Sequence, residues 1–202
     1  MRLSERLARH IEANGRRYRA DLDFRNVLAF LDILARRDIL PEARCYLALK
    51  QIIRRPPKDD RKCAALIAAA DRLLFRDERK RRDAGQRITD FEKDADYIKA
   101  AFLQAYGINL WRDRLHWQEF TALLGALPAG SKYMDILGIR ARPLPEANKY
   151  NAKERESLIR AKAEYALELS DDEIKRSFAA GAFAMAESLK AYAAAKRGEG
   201  NG

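Results

Sequence analysis

The chain has 202 residues, of which 48% are hydrophobic and 35% are charged, and its formal net charge is +10. This length suits one domain, or one domain with an extension. The longest apolar run, residues 64–70, is far shorter than the roughly 20 residues needed to span a bilayer. Residues 1–17 are too charged for the apolar region of a signal peptide. We therefore expect a protein without a membrane partner.

Few residues offer chemistry. The only cysteines, Cys45 and Cys63, lack C-x-x-C spacing, so they predict neither a metal site nor a disulfide framework and suit a reducing cytoplasm. The only histidines, His10 and His116, have no second His or Cys at ligand spacing. The sequence has no Gly-rich phosphate loop, no G-x-S-x-G and no H-E-x-x-H. We expect no enzymatic activity, no cofactor and no metal.

The positive charge is concentrated in the N-terminal segment. Residues 1–87 hold 23 Lys and Arg against 13 Asp and Glu, whereas residues 88–145 hold 7 against 7 and residues 146–202 hold 10 against 10. Such asymmetry raises the question of an anionic partner. Nucleic-acid binding is one hypothesis, but no helix-turn-helix, zinc or RNA-binding signature accompanies the charge.

The chain opens with a predicted short helix. Leu3, Leu7 and Ile11 recur at a spacing of four, which places them on one helical face. Asn14 and Gly15 form a turn signal, and we expect the helix to end there.

Three longer helices are predicted before residue 76. Asp23 or the neighbouring Asp21 caps the first, Pro41 opens the second, and Asp59 or Asp60 caps the third. The predicted core positions are Phe24, Val27, Leu28, Leu31, Leu34, Tyr46, Leu49, Ile52, Ile53, Cys63, Leu66, Ile67, Ala70, Leu73 and Leu74. Residues 76–87 are strongly charged, and we interpret them as a solvated connection or a frayed helix end.

A central helix is predicted over residues 90–106. Thr89 and Glu92 have the spacing of a capping box, and Gly107 has the position of a left-handed cap. Four carboxylates lie in the first turns, and although a catalytic pair is conceivable, acids there are expected because they complement the helix dipole. The apolar stripe is Phe91, Ala95, Ile98, Phe102 and Ala105, and the carboxylates are Asp90, Glu92, Asp94 and Asp96.

Two shorter helices follow the central one. The first runs from about His116 to Ala126, and Ser131 caps the second. Their predicted core positions are Trp117, Phe120, Leu123, Leu124, Leu127, Tyr133, Ile136 and Leu137. Pro143 and Pro145 mark a domain boundary, because proline stiffens the backbone and disfavours helix in the residue before it.

The C-terminal segment, residues 146–202, is predicted to hold a charged helix over residues 151–169 and an Ala-rich helix after it. Ser170 and Glu173 have the spacing of a second capping box, and residues 198–202 are expected to be disordered. The last helix carries an apolar stripe that we interpret as partner-binding. The alternative is that this stripe completes the packing of the core. The stripe consists of Ile174, Phe178, Met185, Leu189 and Tyr192.

Several motifs between residues 18 and 145 resemble the bacteriophage gene-product-fifteen family of long-tailed phages and prophages. These are D-F-x-x-D-A-x-x-I from Asp90, A-F-L-Q-x-Y-G-I-x-L from Ala101, and L-H-W-x-x-F from Leu115, together with D-F-R at residues 23–25. The matching residues, with Ile98 and Ile108, include Asp90, Phe91, Asp94, Phe102, Tyr106, Gly107, Leu110, His116, Trp117 and Phe120. Physical reasoning assigns these residues to a helical core.

The resemblance implies a tail assembly chaperone that binds the tape-measure protein, and in addition tail tube subunits, in the cytoplasm of the bacterial host. It implies absence from the mature virion, and a homo-oligomer is compatible with it. The rival hypotheses are a nucleic-acid-binding regulator and a structural virion protein. We predict an all-α fold, with an irregular multi-helix domain over residues 1–145 and a helical extension over residues 146–202.

Overall fold

The computed structural model describes residues 6–75 and 88–167. Within these ranges the fold is mostly helical, as predicted, with seven helices and one two-stranded sheet. The elements are β1 (His10–Ala13), β2 (Arg16–Arg19), α1 (Phe24–Ala35), α2 (Pro41–Ile52), α3 (Asp60–Leu74), α4 (Ala95–Tyr106), α5 (Trp117–Gly125), α6 (Lys132–Ala141) and α7 (Ala152–Glu164). The chain forms two compact units, Met1–Pro143 and Leu144–Gly202. The predicted division into a domain over residues 1–145 and an extension over residues 146–202 stays a prediction.

The predicted first helix is wrong, because residues 10–19 form an antiparallel hairpin. Asn14 and Gly15 do not end a helix. Both have positive φ angles, 51° and 70°, as the two central residues of a type I′ turn require. The twist of such a turn matches that of the paired strands, so Asn-Gly favours a hairpin here. Ile11 is buried, and β1 lies against α3.

The helices α1, α2 and α3 begin where the sequence predicted. The Asp23 and Asp59 carboxylates accept hydrogen bonds from the amides of Arg25 and Lys62, and Pro41 is the first residue of α2. The pairs α1–α2 and α2–α3 are in contact. Burial follows the predicted faces, except that some of the predicted residues are half-buried, and Phe30, Ala48 and Ala69 join the core.

The central helix begins at Ala95, five residues later than predicted. Thr89 and Glu92 do not cap it. Instead, the Asp90 carboxylate accepts hydrogen bonds from the amides of Glu92 and Lys93, which closes a separate turn ahead of the helix. The predicted end is correct, since Gly107 has φ of 67° and its amide donates to the Leu103 carbonyl. Ala105 is exposed, contrary to prediction.

The next two helices match their predictions closely. His116 is the N-cap of α5, and the Ser131 hydroxyl accepts a hydrogen bond from the Met134 amide at the start of α6. In the second unit, α7 begins at Ala152 and its C-cap is Tyr165, which is earlier than the predicted end at residue 169.

Candidate functional site

The family-motif residues converge on an aromatic cluster at the centre of the first unit. The Phe120 ring stacks between Phe24 on α1 and Phe102 on α4, with centroid distances of 4.7 and 5.4 Å. Phe91 and Trp117 complete the cluster, with their centroids 6.0 and 5.8 Å from that of Phe120. Phe102, Trp117 and Phe120 are at most 1% exposed. These aromatic side chains therefore join α1, α4 and α5 into one core.

The polar ends of two aromatic side chains are hydrogen-bonded inside this core. The Trp117 indole N–H donates to the carbonyl of Leu74 at 3.1 Å, which ties α5 to the end of α3. The Tyr106 hydroxyl donates to the carbonyl of Leu123 at 2.9 Å, which ties α4 to α5. Both groups thus satisfy backbone carbonyls of neighbouring helices.

His116 is a structural cap. Its Nδ1 accepts a hydrogen bond from the Gln118 amide at 3.2 Å, and its own amide donates to the Glu119 carboxylate at 3.0 Å. Because Nδ1 is an acceptor, Nε2 carries the proton and donates to the carbonyl of Ala8 at 2.9 Å. Both ring nitrogens are therefore engaged in hydrogen bonds that hold the start of α5.

The D-F-R motif meets the segment before α5. Backbone hydrogen bonds join Phe24 N–H to the Leu115 carbonyl at 3.0 Å and Trp117 N–H to the Leu22 carbonyl at 2.7 Å. These bonds form an isolated antiparallel bridge between two segments that are distant in sequence. The two motifs therefore act as one structural element.

Asp23 is the polar centre of this junction. Its side chain is 6% exposed and accepts from the side chains of Arg25 and Arg114, each at 3.1 Å. Arg114 also binds both carboxylate oxygens of Asp21, at 2.8 and 2.9 Å. Partial burial raises the pKa of Asp21, but hydrogen bonds from Arg114 and from the Asp23 amide lower it by more, so the net pKa lies below its ordinary value. The carboxylates thus hold the junction together.

Asp94 forms a buried ion pair with Arg140 of α6. The two guanidinium nitrogens donate to the two carboxylate oxygens at 2.7 Å each, and the side chains are 0% and 6% exposed. Arg140 also donates to the Ile88 carbonyl, and Asp94 accepts from the Asp90 amide at 3.0 Å. Burial, with the Asp94 carboxylate nearby, raises the pKa of Tyr133 to about 12. Both carboxylate oxygens of Asp94 are therefore engaged in holding α4 to α6.

Sequence reasoning missed two of these residues, Arg114 and Arg140. Neither has a local sequence signal, because the partner carboxylates lie 91 and 46 residues away. Trp111 is 56% exposed, while its neighbour Leu110 is buried. Lys99 lies over the Trp111 ring with its ammonium 5.0 Å from the centroid.

An apolar cleft lies between α1, α2 and α3. Its volume is about 330 Å³. The described residues that line it are apolar apart from Cys45 and Asp71, and they are Phe30, Leu31, Leu34, Cys45, Ala64, Ile67, Ala68, Asp71 and Phe75. Such a surface suits an apolar ligand or helix more than a charged one.

The predicted partner-binding stripe, Ile174, Phe178, Met185, Leu189 and Tyr192, lies outside the described residues, as do the connection at 76–87 and the tail at 198–202. Within residues 6–75 and 88–167, no group of three His, Cys, Asp or Glu residues is placed to hold a metal ion. No helix in that part of the chain is long and apolar enough to cross a membrane.

Neither the curated proteins nor the solved structures contain a significant match to this chain. The sequence matches the family described as bacteriophage Gp15 protein over residues 3–167, which include the hairpin, the aromatic cluster and both ion-paired junctions. Because this match spans most of the sequence, the chain belongs to the bacteriophage Gp15 protein family.

Proposed function

We propose that this protein is a tail assembly chaperone that binds the tape-measure protein before tail tube subunits polymerise around it. Membership of the Gp15 family, over residues 3–167, is the observation that carries the proposal. The place of action is the cytoplasm of the bacterial host, and the protein is absent from the finished particle. Tail tube subunits are a second partner, and the active species is a monomer or a homo-oligomer.

The physical need for such a protein is protection of apolar surface. A tape-measure protein presents long apolar helical stripes, and large exposed apolar patches lead to aggregation. A soluble helical protein covers a stripe of this kind by receiving it in an apolar groove. The structural role of Asp94 and His116 supports a binding protein, because their polar atoms are engaged in holding the fold.

The cleft between α1, α2 and α3 supports the proposal as a receiving surface for one amphipathic helix. Leu31 and Leu34 on one side and Ile67 on the other are half-buried, so they offer apolar area that a helix stripe can cover. Asp71 also lines the cleft, so the apolar surface is interrupted by one carboxylate. We therefore expect substitutions in the cleft to weaken tape-measure binding more than substitutions elsewhere on the surface.

The C-terminal stripe is the second expected contact. Its five apolar residues, Ile174, Phe178, Met185, Leu189 and Tyr192, follow the spacing of a helical face, and methionine adapts to partners of irregular shape. The stripe stays a prediction, with completion of the core as the alternative. A chain that ends at residue 170 separates the two: loss of binding at unchanged melting temperature favours partner binding, and unfolding favours the core.

Co-purification with the tape-measure protein tests the proposal. The tape-measure protein of the same phage or prophage is co-expressed with a tagged copy of this chain, and the captured amount is measured for the native chain, for Ile67→Asn and for Leu103→Asn. Leu103 is 46% exposed on α4 and lies away from the cleft, so it is the matched control. We expect capture by the native chain and by the control, and reduced capture by Ile67→Asn. No capture by the native chain would contradict the proposal.

Two rival functions make different predictions. A nucleic-acid-binding regulator would shift DNA in a gel, with a steep dependence on salt because phosphate contacts release counterions. A structural virion protein would be found by mass spectrometry in purified particles. We expect neither result.

A further inference from the structure

The outer edge of β2 has backbone groups available for pairing. The amide of Ala20 donates to the carbonyl of Arg9 at 2.9 Å, so these two residues form a hydrogen-bonded pair just beyond the register His10 with Arg19. Bonded and non-bonded pairs alternate along an antiparallel ladder. The N–H and C=O groups of Arg17 and Arg19 therefore point away from β1.

Among residues 6–75 and 88–167, no backbone hydrogen bond reaches these outward groups, and the sheet consists of β1 and β2 alone. Arg17 and Arg19 are both exposed. An edge of this kind is a template for pairing with another extended segment. The remaining question is which segment its side chains would accept.

The side chains make this edge basic. Ile11, 2% exposed, faces Tyr18 across the ladder, so this pair marks the inner face, and Arg17 and Arg19 project from the outer face. Arg17 forms an ion pair with Glu12 at 3.0 Å, but the two side chains are 67% and 69% exposed, so the pair contributes little. Arg19 has no ion pair with any residue that the structure describes.

A second basic segment leaves α2 close to the point where the chain leaves β2. The Asp21 amide donates to the Ile52 carbonyl at 2.8 Å, which holds the two segments together. Arg54 and Arg55 follow Ile52 and are exposed, and neither forms an ion pair within the described residues. The positive charge of the edge thus continues onto the neighbouring loop.

We infer that the outer edge of β2 binds an extended, acidic segment of a partner protein as a third strand. The main chain of that segment pairs with the outward groups of Arg17 and Arg19, and its carboxylates, at every second residue, lie against the two guanidinium groups. Arg54 and Arg55 attract the acidic residues that extend beyond the strand.

The edge favours an acidic peptide over two other occupants. Arg17 and Arg19 each present an amide donor and a carbonyl acceptor, which a peptide strand matches with its own acceptors and donors. A DNA backbone offers phosphate acceptors but no donor to the carbonyls, and an RNA backbone offers only its 2′-hydroxyl groups. A second copy of β2 would bring arginine against arginine, and like charges in a cross-strand pair are destabilising.

A synthetic peptide tests this inference directly. The probe is a fluorescein-labelled ten-residue peptide in which Glu alternates with Thr, and binding is measured by fluorescence anisotropy at low salt. Two matched probes are the same peptide with N-methyl groups on alternate amides and a single-stranded DNA of equal charge. We expect the unmodified peptide to bind about tenfold or more tightly than either matched probe. Equal affinity for the methylated peptide or the DNA would overturn the inference, because it would indicate charge attraction without strand pairing.

Protein variants and amide exchange complete the test. Reversal of Arg17 and Arg19 to Glu is expected to weaken peptide binding at least about tenfold, and reversal of the exposed Arg112 and Lys153 to Glu to leave it nearly unchanged. A thermal melt of each variant verifies folding. In the native chain, bound peptide is expected to slow exchange of the Arg17 and Arg19 amides, and unchanged exchange of both amides would overturn strand pairing. The test uses no tape-measure protein, so its outcome is independent of the chaperone proposal.

Discussion

Asp94 and Arg140 form a two-bond ion pair that connects the start of α4 to the end of α6, with both side chains almost completely buried. Asp94 belongs to the family motif. Its ion pair with Arg140 accounts for a buried carboxylate at this position. Burying two charges costs several kcal/mol in desolvation, so a pair of this kind is retained only when its geometry and remaining hydrogen bonds are good. Here the Ile88 carbonyl and the Asp90 amide provide those bonds.

Breaking the pair on one side is expected to be severe. Asp94→Asn leaves the Arg140 charge buried without a counter-ion, and we expect a loss of about 3–5 kcal/mol in the free energy of unfolding. Arg140→Met likewise leaves the Asp94 carboxylate buried without a counter-ion, and we expect a loss of similar size. The double variant is expected to lose clearly less than the sum of the two single losses in urea unfolding. Additive losses would show that the two groups are not coupled.

Phe102 is expected to be essential for the aromatic cluster. It is 0% exposed and stacks on Phe120, so Phe102→Ala removes contacts and leaves a cavity. We expect the free energy of unfolding, measured by a thermal or urea melt, to fall by about 3–5 kcal/mol. Leu103→Ala, at the next position of the same helix, is the control and is expected to change stability by about 0.5 kcal/mol or less, since Leu103 is 46% exposed. A melt that Phe102→Ala leaves unchanged would refute the assignment of α4 to the core.

His116 is expected to contribute as a helix cap. His116→Ala removes the acceptor for the Gln118 amide and should cost about 0.5–2 kcal/mol. Asn is a strong N-cap residue, so His116→Asn should recover most of that loss while losing the contact with Ala8. Equal stability of the two variants would mean that the cap hydrogen bond contributes nothing.

The pH dependence of stability should distinguish Asp32 from Asp38. Partial burial and the nearby Glu92 and Asp90 carboxylates raise the pKa of Asp32 above 3.8, so its favourable contribution exists below pH 3.8 and is lost as pH rises through the raised pKa. Asp32→Asn is therefore expected to raise the melting temperature at pH 7 and to have no such effect below pH 3.8.

The pKa of Asp38 is shifted in the opposite direction to that of Asp32. A hydrogen bond from Arg36 lowers the pKa of Asp38 below 3.8, so its favourable contribution is present above pH 3.8 and is lost as pH falls through the lowered pKa. Asp38→Asn should lower the melting temperature slightly at pH 7, because both side chains are exposed. If the two variants shift the melting temperature in the same direction at pH 7, this electrostatic interpretation is wrong.

Local sequence signals predicted most helix boundaries. Asp23, Asp59 and Ser131 cap the helices for which they were predicted, and Gly107 ends α4 in the left-handed conformation. Caps depend on one residue and the two or three amides that follow it, so they can be recognised without knowledge of the tertiary structure.

The errors concern interactions between distant residues or competing local signals. Asn14-Gly15 suits both a helix end and a type I′ turn, and the burial of Ile11 against α3 favours the hairpin. Thr89 and Glu92 had capping spacing, but Asp94 is held by Arg140 and the helix starts after it. The junction of Asp23 with Arg114 spans 91 residues, a distance at which sequence periodicity gives no information.

The central claim, that this Gp15 family member is a chaperone for the tape-measure protein, is tested most directly by solubility on co-expression. The tape-measure protein of the same phage or prophage is produced in a bacterial host with the native chain, with the chain that ends at residue 170, or alone, and its soluble fraction is measured after centrifugation. The account predicts that most of the tape-measure protein is soluble with the native chain and mostly insoluble alone. An equal soluble fraction with and without the native chain would contradict it.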